Sequence, residues 1–248
     1  MSNQHRPVPS DAVPTYDLPA TSRLAAPCWG LGDAAFGLVG GFLIAFVAMG
    51  LWKASAGSAE QSLGTIAAGW MGLWVGFLGV PLLASRYKGS GSLAIDFGLW
   101  SRRSDAAGVA VGVICQLVAL PALFFLVQEL TGDLDVSRPT RQLTDGVDGA
   151  AFVLVALLVT FAAPVVEEIF YRGLVLRAAA RRFGTRWAVF GSSAIFGVSH
   201  FELVQFPGLF LFGVVLALLA VRTGRLGASI AAHMAFNGVA VIGLAAAR

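Results

Sequence analysis

Charge is what this sequence has least of. Only 12% of its 248 residues are Asp, Glu, Lys or Arg, against about 25% in soluble globular domains. A water-soluble surface cannot be built from so few charges, and a mean hydropathy of +0.77 excludes it again. Cysteine is nearly missing too. Cys28 and Cys115 stand far apart, and Cys115 lies inside an apolar stretch, so neither a zinc motif nor a disulfide framework is expected. No His-Glu-x-x-His pair occurs, and the only histidines are His5, His200 and His233. Residues 1–32 contain five prolines and no apolar run, which predicts a flexible tail rather than a cleaved signal. Lysine is scarce as well, two residues against fifteen arginines.

What the chain does have is long apolar runs. Seven are legible: Ala34–Trp52, Leu63–Ala84, Ala106–Gln128, Gly149–Val166, Trp187–Phe201, Leu203–Val221 and Leu226–Ala247. Most reach the roughly 20 residues of a spanning helix. They predict an all-α, polytopic transmembrane bundle in residues 33–248, with seven spans and an eighth left open. The fifth run holds fifteen residues between Arg186 and Glu202, about 22 Å of helix, and should be a short span or half of a shallow pair. Arg and Lys gather in alternate loops: Arg86, Lys88, Arg102 and Arg103, then Arg177, Arg181, Arg182 and Arg186, then Arg222 and Arg225. By the positive-inside rule this sets the N-terminus in the cytoplasm, and the preference for Arg over Lys with abundant Ala and Gly points to a bacterial plasma membrane. The fourth-loop arginines follow on a helical continuation from Gly173 to Phe183, where contact with lipid headgroups is the expectation. No nucleic-acid partner is implied; the partners expected are the bilayer and something resident in it.

The fourth run ends unusually. Eighteen uncharged residues, Gly149 to Val166, lead directly into Glu167 and Glu168. Carboxylates at membrane depth cost a few kcal/mol or more, so they point to function. Arg172 lies four positions after Glu168, on the same helical face. Glu167 points about 100° away and needs a partner from another segment. Pro164 lacks an N–H, which should leave the carbonyl of Thr160 unpaired and kink the helix before the acids. The later runs add His200 in Phe196-Gly-Val-Ser-His200, and His233 one turn before Asn237. Lipid exposure is unfavourable for all of them, so one shared cavity formed by the last four segments is the cheapest arrangement. There a carboxylate and an imidazole can deprotonate a water, and a second imidazole with an amide can hold an oxyanion. The same groups could instead ligate zinc or relay protons in a transporter.

Glu167-Glu168-x-x-x-Arg172, Phe196-x-x-x-His200 and His233-x-x-x-Asn237, in that order on apolar segments, resemble the three motifs of the CAAX-protease and bacteriocin-processing family of intramembrane proteases. The resemblance covers about residues 149–247. It implies an endopeptidase acting on a membrane-associated or lipidated peptide or protein. Glu167 and His200 would activate the water, His233 and Asn237 would form the oxyanion site, and Glu168, locked by Arg172, would shape it with Phe196 in support. No cofactor is implied, with zinc the alternative. A non-proteolytic scaffold or immunity protein of the same family is the rival reading, and a proton-coupled transporter a more distant one, since no internal repeat is visible.

Overall fold

The computed structural model describes residues 28–56, 63–132, 147 and 149–247. The tail up to residue 27, the first loop, and the third loop with Arg138 and Arg141 lie outside the described residues. The elements are helices throughout: α1 (Leu31–Ala56), α2 (Leu63–Lys88), α3 (Leu93–Phe97), α4 (Arg103–Leu130), α5 (Gly149–Phe183), α6 (Thr185–Val198), α7 (Phe206–Thr223) and α8 (Gly227–Ala246). Six of these, all but α3 and α6, are long and apolar enough to cross a membrane. The short fifth run becomes α6, whose 14 residues rise about 21 Å. It packs as a pair with α7. Apolar side chains such as Phe36, Leu51 and Tyr87 face outward, while Glu168, Arg172 and His233 are buried. That is the reverse of a soluble protein, and it suits a lipid solvent. The chain is a polytopic helical membrane protein.

Small residues set how closely the helices approach, since in lipid packing replaces the hydrophobic drive. Each of the first three spans carries two glycines one turn apart. Gly76 of α2 lies against the Gly41 Cα and the Gly37 carbonyl of α1, and Gly72 lies against the backbone of Ala45. Gly108 and Gly112 of α4 lie against the carbonyls of Ala228 and Ala232 in α8, leaving no space for a Cβ. These pairs hold α1 on α2 and α4 on α8.

The arginine-rich end of the bundle departs from expectation. Arg177 is 8% exposed. It donates to the carbonyls of Asp96 and Phe97 at 3.3 and 2.9 Å and to that of Gly224 at 3.1 Å. Those carbonyls end α3 and α7, where both chains turn through glycines of positive φ, Gly98 at 69° and Gly224 at 68°. The guanidinium thus supplies donors to helix ends that lack them. Arg181 donates to the Trp29 carbonyl and lies 5.5 Å from the Trp29 ring centroid. Both guanidiniums thus have protein partners, Arg177 buried and Arg181 exposed, while Arg182 and Arg186 are exposed at the same end. Trp29 is itself 2% exposed and packed on Phe97. Arg225 pairs with Asp105 at the start of α4, locking α8 to α4.

Candidate active site

Helix α5 is one continuous rod of 35 residues, but it is not regular. Two π-helical turns interrupt it, at Leu158–Ala162 and at Glu168–Val175. The first follows from Pro164. The Ala163 N–H bonds to the Leu158 carbonyl, five residues back. Val159 is then without an in-helix donor, because Ala163 is taken and Pro164 has no N–H. The Asn237 amide fills the gap, donating from Nδ2 to the Val159 carbonyl at 2.9 Å. The proline therefore frees a carbonyl as expected, but Asn237 answers Val159 rather than Thr160, because the wide turn shifts the bonding by one residue.

The second π turn begins at Glu168, directly after Glu167. Glu168 is fully buried. Its Oε1 accepts from Arg172 Nη1 at 2.7 Å and from His233 Nδ1 at 3.0 Å. Arg172, 1% exposed, also donates to the Gly213 carbonyl at 3.2 Å. Its guanidinium carbon sits 4.5 Å from the centre of the Phe196 ring. A buried charge is tolerated only with such partners. Glu168 is thus held through Oε1 by a cation and an imidazole, and its Oε2 is buried without a hydrogen-bond partner among the described residues. Glu167 has no such cation. Its side chain is 20% exposed, and Oε2 stands 3.8 Å from His233 Nε2, beyond hydrogen-bond range. Among the described residues this buried oxygen has no hydrogen-bond partner. His233 therefore lies between the two carboxylates, its Nδ1 on one and its Nε2 toward the other. The four groups sum to −1 with a neutral imidazole and to zero with a charged one.

His200 reaches the same place from the far side. Phe196 is the hub: its ring centre lies 4.8 Å from that of His200, 5.8 Å from His233 and 5.2 Å from Tyr171, all edge to face. His200 Nδ1 lies 2.7 Å from the Phe196 carbonyl. The structure thus places Arg172, His200 and His233 around the Phe196 ring. Glu167 and Glu168 lie on either side of His233, and Asn237, one turn along α8, is tied to α5. Sequence reasoning passed over Tyr171, whose hydroxyl lies 2.5 Å from Ser199 Oγ. Its place four residues after Glu167, with Ser199 beside His200, was the available signal.

A metal ion fits this set poorly. Zinc takes three or four donors, but Glu168 Oε1 and His233 Nδ1 are committed to each other and Arg172 places a positive charge alongside. Among the described residues no three His, Cys, Asp or Glu side chains converge as a metal centre would require.

A membrane-embedded bundle with a buried Glu–Arg–His cluster on π-helical turns defines a polytopic membrane protein with a built polar site. Residues 149–239 match the family model of the type II CAAX prenyl endopeptidases, Rce1-like. All three motifs fall inside the match, and α1 to α4 fall outside it. No curated protein and no solved structure matches the chain.

Proposed function

We propose that this protein is an intramembrane endopeptidase that hydrolyses a peptide bond of a membrane-resident or lipidated substrate, with Glu167 as general base. The observation that carries the reading is the contrast between the two acids. Glu168 is paired with Arg172 and His233 through Oε1 and is fully buried. Glu167 has no cation beside it among the described residues, is partly accessible, and turns an unpaired Oε2 toward the His233 imidazole. Buried polar atoms are rarely left without a partner, and a water hydrogen-bonded there is the one the carboxylate would deprotonate. The water oxygen attacks the substrate carbonyl carbon, its proton passes to Glu167, and negative charge develops on the carbonyl oxygen.

His233, with Nδ1–H directed at Glu168, can donate from Nε2 as the imidazolium, and the amide of Asn237 retains a second N–H beyond the one given to Val159. These are donors for the developing oxyanion. His200 completes the set as the second base, able to share the water proton and return it to the leaving amine. Access is supported by an apolar groove of about 470 Å³ between α1 and α6, lined among others by Leu38, Phe42, Phe46, Val198 and Phe201. Ser199, the neighbour of His200, is part of its wall. A groove open to lipid suits a hydrophobic or lipidated chain.

The test is purified protein in detergent with quenched fluorogenic peptides, one bearing a prenylated C-terminal cysteine motif and one an unmodified membrane segment. Wild type should cleave at least one, and Glu167→Gln should lose at least about 100-fold in kcat. Activity should persist in EDTA and phenanthroline. Equal cleavage by Glu167→Gln would refute the assignment, and loss of activity to chelators would hand the site to a metal.

A further inference from the structure

His200 is half-buried and lies just past the end of its helix. Helix α6 ends at Val198, and the backbone N–H of His200 reaches the Gly197 carbonyl only at 3.4 Å. The next residue, Phe201, has φ of 56°, the one positive value outside glycine among the described residues. The chain reverses there, so no further helical turn supports the imidazole. What supports it is a set of side-chain hydrogen bonds with a fixed direction. The Phe196 carbonyl lies 2.7 Å from His200 Nδ1 and 2.8 Å from Ser199 Oγ. A carbonyl only accepts, with two lone pairs, so both neighbours must donate to it. Ser199 has one hydrogen and spends it there; its oxygen must then accept from Tyr171, 2.5 Å away. Tyr171, 2% exposed and wedged among Phe77, Phe170 and Phe196, cannot turn its hydroxyl elsewhere.

We infer that Tyr171 and Ser199 are positioning residues that hold His200 in the tautomer with its proton on Nδ1 and its Nε2 lone pair free. The chain of donors runs Tyr171 to Ser199 to the Phe196 carbonyl, with His200 Nδ1–H on the second lone pair. The Tyr171 and Ser199 bonds are in series and polarise one another. His200 shares their terminal acceptor, so what Ser199 does for it is occupy one lone pair and fix the carbonyl and the turn against which Nδ1–H is placed. Because Tyr171 sits on the π turn that begins at Glu168, the series also ties the histidine turn to the glutamate helix. The inference draws its catalytic meaning from the peptidase reading, but its geometry stands without it.

The experiment is long-range proton–nitrogen NMR of histidine-labelled protein in micelles, above the ordinary histidine titration range. The chain has only three histidines, and His200→Gln assigns the signal by its loss. Wild type should show His200 as a single Nδ1–H tautomer. Tyr171→Phe, which keeps the ring packing, and Ser199→Ala should give mixed tautomers in the folded protein, while Ser199→Thr, which keeps the hydroxyl, should restore the single form. On the fluorogenic peptides, Tyr171→Phe and Ser199→Ala should each lower kcat about tenfold with KM little changed, as for a mispositioned base. The double variant should be no worse than either single one, since both cut one series. A wild-type Nε2–H tautomer overturns the inference. So does an unchanged His200 signal in both variants, even if their melting temperatures fall. Should wild type cleave nothing, the peptidase reading fails while the tautomer result still decides this one.

Discussion

Arg172 shows how a charge survives at the centre of this protein. It satisfies Glu168, the Gly213 carbonyl and the face of Phe196 at once, and each of these would be left exposed to a low dielectric without it. Removing one partner of a buried pair costs about 3–5 kcal/mol, mostly from the stranded charge. Arg172→Ala should therefore lower stability by that amount in a detergent melt. Arg172→Lys should recover only part of it, because an ammonium cannot present the planar fork. The pairing of these two residues was legible from their spacing of four. The position of His233 between the acids was not, since it depends on α8 meeting α5, a contact with no trace in local sequence. Its motif identified it as a site residue without saying which acid it would touch.

At the scale of the helix, the interruptions matter more than the regular turns. Pro164 removes one donor, the wide turn at Leu158–Ala162 takes up the difference, and Asn237 answers the freed carbonyl. Pro164→Ala would return an N–H to that turn and set it in competition with Asn237. The expected outcome is unchanged or higher thermal stability together with lower kcat on the fluorogenic peptides. In α4, Gly112 faces the Ala232 carbonyl with no space between, so Gly112→Leu should force α4 off α8 and sharply lower the melting temperature. Gly79→Leu, at a glycine with nothing nearby, is the control and should leave it unaltered. The apolar runs and the loops between them could be read from hydropathy, and the short fifth run did become a short helix. Helix α3, the π turns and the burial of Arg177 could not, because each answers to carbonyls and neighbours brought in from distant parts of the chain.

On the scale of the whole molecule, the two walls of the lipid-facing groove have different origins. Val198, Ser199 and Phe201 lie within the stretch that matches the endopeptidase family, whereas Leu38, Phe42 and Phe46 belong to α1, outside it. Phe42 reaches across to stack edge-on against Phe201, ring centres 5.1 Å apart. Smaller residues at Phe42 and Phe46 should widen the groove and shift KM toward bulkier lipid or peptide chains, with kcat for the best substrate nearly constant. A drop in kcat alone, with KM fixed across a panel of chain lengths, would argue that α1 takes no part in selection. On the peptidase reading proposed above, the arrangement would separate the choice of substrate from its hydrolysis. One helix could then drift in sequence, and the protein take new clients, while the acids and histidines stay untouched.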